Sequence, residues 1–169
     1  VAVIGCIVAR RNGWTGSATQ FKVCISGLLH DIGKKEISDE LIGKTRMERT
    51  WNETKIIESH SSRGRDLVLE LKSLPEDVAT IIHQHHEVLT GEGYPLGLRG
   101  DAIHPLARLI GTVDKLVELI MPPSEAVSPL SPHEAIERIL NFTPDSVDRV
   151  FMGHLVALFK FNGVAYHSV

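Results

Sequence analysis

The chain has 169 residues, of which 43% are hydrophobic and 23% are charged, and its net charge is −3 with neutral histidines. These values are typical of one globular domain with a buried core. The sequence has no long Lys/Arg run, so we expect no nucleic acid polymer as a partner, although a small anionic substrate needs only a local positive site. The apolar run at residues 1–9 is far too short to span a membrane, and we expect a cytoplasmic location.

The predicted elements are mostly helical. Residues 1–11 form an apolar run that ends in Arg10-Arg11-Asn12-Gly13, which is a typical helix stop. A β-strand is the alternative there, because β-branched residues are frequent in the run. The run opens without Met or a cap, so we expect a fragment whose first helix begins upstream. Ser17 is expected to cap a second helix that runs to Leu29.

The middle of the chain is predicted to alternate helices with irregular segments. Residues 35–50 look irregular, and helices are expected over 51–60 and 64–71. Another helix starts at the Ser-Leu-Pro-Glu segment 73–76 and runs to His86. Four glycines and a proline make 89–100 a loop, and we expect it to border the functional site because it directly follows paired histidines.

The last third of the chain is predicted to complete an all-α domain. A helix over 105–120 is followed by a Pro/Ser-rich segment, 121–132, which is expected to be a flexible linker. Two C-terminal helices are expected within 133–160, the first opened by Pro132 and the second running over 145–159. We therefore expect residues 1–169 to form a single helical bundle with a metal centre in its interior. Cys6 and Cys24 lack zinc-type spacing and are expected to be reduced core residues.

Histidines and aspartates spread along the sequence indicate a metal-binding site. Imidazole and carboxylate are the mixed ligands that water-activating divalent metals favour. Neighbouring residues on a helix diverge by about 100°, so each adjacent pair can serve two ions. Two ions together suit the hydrolysis of phosphate esters. The candidate ligands are His30, Asp31, His60, His85, His86 and Asp114.

Lys34 and a glycine-rich loop accompany these candidate ligands. Lys34 lies one helical turn past His30 and is suited to hold a phosphate oxygen as a mobile point charge. The glycines of 91–97 allow unusual backbone angles and the close approach of a ligand. Each element alone has a simpler explanation, since a lone histidine such as His60 is usually structural and Gly93-Tyr94-Pro95 is usually a turn. The remaining histidines are expected to lie outside the site: His83, His104, His133, His154 and His167.

Taken in order, these elements resemble the HD-GYP family, a branch of the HD phosphohydrolases that degrades the bacterial second messenger cyclic di-GMP. The resemblance rests on HDIGK at 30–34, a later histidine, HHE at 85–87, GEGYPLGLRG at 91–100 and a following aspartate. It implies an all-helical bundle with two or three divalent ions, iron or manganese in this family, while nickel and zinc also suit the ligands. It implies metal ligation by all six candidate ligands, catalysis by Lys34 and Asp31, and substrate contacts by Lys34, Gly93, Tyr94 and Arg99.

The resemblance also implies partners. The substrate would be cyclic di-GMP, opened to pGpG and onward to GMP. A sensory or receiver domain would precede this domain in the full-length protein, and a diguanylate cyclase would dock through the loop that contains Tyr94. A homodimer is compatible with the resemblance, although no dimer seam can be identified in the sequence.

The chain departs from the family pattern where the nucleotide is held. Val88 and Thr90-Gly91 stand where the family has Arg and Asp-Gly, and Met121-Pro122-Pro123-Ser124 replaces Arg-Pro-Tyr-Arg. A further family histidine would fall before Val1, which leaves the number of metals open. Two alternatives therefore remain beside a phosphodiesterase: a weakly active receptor or scaffold, and an HD hydrolase for another phosphoester.

Overall fold

The computed structural model describes residues 1–122 and 127–160, and within these ranges it contains helices and turns but no β-strand. The all-α prediction is confirmed, and the N-terminal run is a helix rather than a strand. Across the described residues, no helix combines the length and the apolar character needed to cross a bilayer. The helices in these ranges are α1 Ala2–Arg11, α2 Ser17–Leu29, α3 Asp39–Gly43, α4 Trp51–Glu58, α5 His60–Leu69, α6 Glu76–Gln84, α7 Pro105–Ile120, α8 Pro132–Phe142 and α9 Arg149–Leu158.

Local sequence explains where several helices begin. Helix α8 starts with a capping box, in which Ser131 and the Glu134 carboxylate each accept a hydrogen bond from the other residue's backbone N–H. Helix α7 begins at Pro105, where the missing backbone N–H costs nothing. The predicted cap at Ser17 is wrong, because Ser17 is the first helical residue and Gly16 precedes it without a side-chain hydrogen bond.

Helix α7 is the central element of the bundle. It packs against α1, α2, α6, α8 and α9. Leu109 and Ile110 of α7 are fully buried and share one hydrophobic core with Val23 of α2 and Ile81 of α6. Each buried side chain of this size stabilises the fold by about 2 kcal/mol. The same helix carries Asp114, so the core fixes the position of that carboxylate.

The HD motif lies in a tight turn that packs directly on α5. A Cβ on Gly33 would lie 2.0 Å from the His60 carbonyl oxygen and 2.6 Å from the Gly64 nitrogen, so only glycine fits there. The predicted helices over 51–60 and 64–71 are shifted, because α4 ends at Glu58 and α5 begins at His60. Gly64 is therefore inside α5, where it receives the HD turn.

Three further predictions differ from the structure. The segment 35–50 is not wholly irregular, because it contains α3 and a 3-10 turn at 46–48. The last helix begins at Arg149, after a 3-10 turn over 144–146, rather than at 145. Cys24 is exposed and Cys6 is half-buried, so the prediction of two core cysteines is wrong. Part of the predicted linker, residues 123–126, lies outside the described residues.

Candidate metal centre

Four potential metal ligands from three segments meet in the bundle interior. One ligand atom from each of Asp31, His60, His85 and His86 lies within 4.8 Å of the others. His60 Nε2 is 3.3 Å from His85 Nε2 and 3.2 Å from Asp31 Oδ1. His60 and His85 are both only 1% exposed, so the fold holds them rigidly.

His30 and Asp114 form a pair beside this cluster. His30 Nε2 lies 3.2 Å from Asp114 Oδ1 and 3.5 Å from Asp31 Oδ2. The His30 ring meets the His85 ring edge-on, with centroids 5.3 Å apart. The fold therefore brings all six predicted ligands to one place, with Asp31 in contact with both groups.

Backbone carbonyls at helix ends orient three of the histidines. The Nδ1 atoms of His30, His60 and His85 lie 3.1, 2.7 and 2.6 Å from the carbonyl oxygens of Gly27, Ile57 and Ile82. An Nδ1–H group that donates to a carbonyl leaves the Nε2 lone pair available to a metal. In this tautomer the lone pairs of His60 and His85 oppose each other, and a nearby cation would relieve that repulsion.

The donor set fits divalent metal ions. Asp31 Oδ1 is buried and has no hydrogen-bond partner among the described residues, and His60 Nε2 lies 3.2 Å from it. A buried polar atom without a partner costs free energy, and a cation at the cluster would satisfy it. Imidazole and carboxylate ligands of this kind suit the divalent transition metals.

Burial keeps the paired histidines neutral. It lowers the pKa of His85 to about 4. Burial, together with the neighbouring His85 and His60, lowers the pKa of His86 well below its ordinary value. Both rings are therefore in the uncharged form that binds metals.

The carboxylate Asp31 is held in its ionised form. Burial alone would raise the pKa of Asp31, but His60, His30 and Lys34 outweigh burial and hold the pKa well below its usual range. For His30, burial lowers the pKa and the Asp114 carboxylate more than offsets it, so the pKa of His30 is raised. The cluster thus combines the ionised Asp31 carboxylate with imidazoles, a ligand set that suits a divalent metal ion.

Lys34 lies directly beside the cluster. It belongs to the 3-10 turn Ile32–Glu36, and its Nζ donates a hydrogen bond to Asp31 Oδ2 at 2.6 Å. The tight winding of such a turn brings a residue back over the one three positions earlier. The Lys34 side chain is 23% exposed, so its charge is reachable by a ligand.

The loop after the paired histidines places Tyr94 against the cluster. The Tyr94 ring stacks on His86 with centroids 4.7 Å apart and planes 28° apart. Burial raises the pKa of the Tyr94 phenol, so the hydroxyl stays neutral. A Cβ on Gly93 would lie 2.5 Å from the His86 carbonyl oxygen, so close packing requires this glycine. Arg99 is exposed and its side chain lies over Gly91.

A cavity of about 270 Å³ adjoins the cluster. This is near the lower end of the volumes of small-molecule sites. His85 and His86 belong both to the cluster and to the cavity lining, and Asp114 and Tyr94 line the cavity as well. Arg99 is not among the described residues that line it. Charged groups of both signs also line the cavity, from five segments of the chain: Arg46, Arg108, Lys115, Glu58, Glu87, Glu92, Glu118 and Asp148.

Two acidic residues that the sequence analysis did not select shape the site. Glu87 is buried, and its carboxylate accepts hydrogen bonds from Leu96 N at 2.6 Å and Leu98 N at 2.9 Å, which ties the loop to the HHE segment. Glu118 lies one turn after Asp114, where burial and the Asp114 charge raise the pKa of Glu118 to about 7. Glu118 lies four residues after the predicted ligand Asp114, and this spacing is the sequence feature that could have identified it.

Known proteins resemble this chain in sequence. A family model described as HD domain matches residues 4–149. The chain is 29% identical over 134 residues to a cyclic di-GMP phosphodiesterase of Pseudomonas aeruginosa. The matched stretch covers 79% of this chain and 32% of the relative. It is 31% identical over 116 residues to 3'3'-cGAMP-specific phosphodiesterase 3 of Vibrio cholerae. That matched stretch covers 68% of this chain and 24% of the relative. The chain therefore spans a third or less of the length of these two relatives.

Solved structures share the fold. An HDG"Y"P protein of Bdellovibrio bacteriovorus superposes with a TM-score of 0.80 at 24% identity, covering 94% of this chain and 50% of that one. A cyclic GMP-AMP-specific phosphodiesterase of V. cholerae superposes with a TM-score of 0.70 at 19% identity, covering 95% of this chain and 42% of that one. The resemblance to the HD-GYP branch is confirmed. Because the family model matches most of its length, the chain belongs to the HD domain family.

Proposed function

We propose that this chain is a metal-dependent phosphodiesterase that hydrolyses cyclic di-GMP to pGpG or GMP. The observation that carries this proposal is the convergence of histidine Nε2 atoms on Asp31, with Lys34 Nζ 2.6 Å from the same carboxylate. Relatives named cyclic di-GMP phosphodiesterases, at 29% and 34% identity, support the choice of substrate.

Each residue of the site has a different proposed role in this reaction. Two divalent ions, which we propose to be iron or manganese, would activate water and neutralise charge on the phosphate. Asp31 contacts both groups of ligands and is the residue best placed to be shared between the ions. Lys34 would move from Asp31 to a phosphate oxygen and stabilise the charge that develops there. Tyr94 would hold the His86 ring in place through its stack.

The experiment that tests this proposal combines metal content with cleavage. Anaerobically purified wild type is expected to hold two or more ions per chain and to cleave cyclic di-GMP, and His86→Ala is expected to lose cleavage. His83→Ala is the matched control on the same segment, because His83 contacts Ser62 and Arg65 outside the cluster. Metal-loaded wild type that leaves cyclic di-GMP uncut over hours would contradict the proposal.

A mixed cyclic dinucleotide is the second candidate substrate. Two relatives, at 31% and 36% identity, are named 3'3'-cGAMP-specific phosphodiesterases. A panel of cyclic di-GMP, 3'3'-cGAMP and cyclic di-AMP separates the two candidates by the ratio of their kcat/KM values. Tight binding of cyclic di-GMP without cleavage would instead favour a receptor.

A further inference from the structure

We propose that Lys115 and Glu118 of α7 read the nucleotide base in this site and select guanine. The inference rests on the proposed function, because it assigns a base subsite to the same active site. Both side chains line the cavity that adjoins His85 and His86. None of the motifs in the sequence includes either residue.

The helix places the two side chains as a pair. Lys115 and Glu118 are three residues apart, which puts them on one face of α7. Asp114, which pairs with His30 beside the cluster, lies on the same two turns of the helix. A base bound by the pair would therefore lie close to the metal cluster, as a nucleotide whose phosphate is cleaved there requires.

Lys115 and Glu118 are half-buried charged residues of the cavity lining for which the described part of the chain supplies no ion pair or hydrogen bond. Within residues 1–122 and 127–160, neither Lys115 nor Glu118 has an ion-pair or hydrogen-bond partner, whereas Arg108 and Glu58 are both ion-paired. Arg46 and Glu92 also line the cavity, but both are exposed to solvent. A partly buried carboxylate without hydrogen-bond donors is costly, and a bound ligand would supply them.

The pattern of donors and acceptors matches guanine. The Watson–Crick edge of guanine offers the O6 acceptor beside the N1–H and N2–H donors, and proteins read unpaired bases on this edge. Lys115 donates to O6 while the Glu118 carboxylate accepts from N1–H and N2–H. Adenine would place an amino donor against Lys115 and the N1 acceptor against Glu118. Contacts of this kind discriminate between bases by roughly 10- to 100-fold.

The test is equilibrium binding of GMP and AMP to manganese-loaded protein at pH 8. Wild type is expected to prefer GMP by roughly 10-fold or more, and Glu118→Gln and Lys115→Met are each expected to lower that preference to within about 3-fold. Glu70→Gln and Lys72→Met are the matched controls, since both residues are exposed and outside the cavity lining, and both variants should keep the preference. Thermal melting and manganese content report that each variant is folded and loaded.

Three results would overturn the base subsite: no GMP preference in wild type, an undiminished preference in Glu118→Gln, or loss of manganese in that variant. The last result would make Glu118 a metal ligand instead. Cleavage of cyclic di-GMP by wild type is measured separately. If wild type prefers GMP but does not cleave cyclic di-GMP, the base subsite is supported and the proposed function is contradicted. If wild type cleaves cyclic di-GMP but does not prefer GMP, the proposed function is supported and the base subsite is contradicted.

Discussion

His60 and His85 meet with their Nε2 atoms 3.3 Å apart, while the Nδ1 atom of each ring lies within 2.7 Å of a backbone carbonyl oxygen. With the proton on Nδ1, two lone pairs face each other in a buried space. This contact is unfavourable, because water does not screen it there. With both ring protons on Nδ1, a cation bound at the Nε2 atoms would remove that repulsion.

Manganese is expected to stabilise the wild type strongly. At about 100 times its Kd, a bound ion raises the free energy of unfolding by about 2.7 kcal/mol. For a domain of this size that corresponds to a Tm increase of about 5–10 °C. Thermal melting after EDTA treatment, with and without added manganese, measures the shift. The double variant His60→Ala/His85→Ala should lose the shift and His83→Ala should retain it; an equal shift in the double variant would argue against the site.

Replacement of Lys34 is expected to separate turnover from metal binding. Lys34→Gln removes the charge beside Asp31 but no metal ligand, so kcat for cyclic di-GMP should fall about 100-fold or more while manganese content is unchanged. Lys35→Gln is the control, because Lys35 is the next residue and is exposed. Similar kinetics in both variants, measured under metal saturation, would show that Lys34 does not touch the reacting phosphate.

We expect manganese affinity to depend on the aromatic ring of Tyr94 rather than on its hydroxyl group. Tyr94→Phe keeps the stack on His86 and should leave manganese affinity within about 3-fold of wild type, whereas Tyr94→Ala should weaken it about 10-fold. Isothermal titration of metal-free protein measures both affinities. If the two variants weaken binding equally, the hydroxyl is the functional group and the stack is not.

Glu118 makes the stability of the metal-free protein depend on pH. The pKa of Glu118 is raised from 4.5 to about 7 in the folded state, so the folded chain holds its proton where the unfolded chain has lost it. Stability therefore falls as pH rises from about 4.5 to 7, by up to about 3 kcal/mol in total. Glu118→Gln abolishes this loss and should be more stable than wild type at pH 8, with little difference near pH 4.

Urea denaturation in EDTA at both pH values measures that difference. Glu70→Gln is the control, because Glu70 is exposed and should leave the pH dependence as in wild type. A difference between Glu118→Gln and wild type that does not change with pH would contradict the raised pKa.

Local patterns predicted the helix that organises the site better than they predicted the breaks around it. The limits of α7, Pro105–Ile120, follow from a proline at the first turn and an apolar repeat, and the structure has the same limits. The break at Ser59, which puts His60 at the start of α5, was not predictable in this way. It accompanies the contact between Gly33 and the His60 carbonyl, which joins residues distant in sequence.

The candidate ligands could be selected from motifs, but the residues around them could not. Arg99 lies in the sequence beside the glycine-rich loop, and yet its side chain covers Gly91 and is exposed. Lys115 and Glu118 belong to no motif, and only the packing of α7 against the cluster brings them into the cavity. Selecting such residues requires the relative placement of helices, which no local periodicity encodes.

The attachment of three histidines to helix ends links metal supply to the rigidity of the bundle. The carbonyl oxygens that hold the rings belong to the last turns of α2, α4 and α6: Gly27, Ile57 and Ile82. A cation on Nε2 makes Nδ1–H a stronger donor, so one binding event tightens all three turns. Amide hydrogen exchange at those turns should slow together on loading. Protein made in a metal-starved cell would open more often at these helix ends and be more readily degraded, so its abundance and its activity would depend on the same ion.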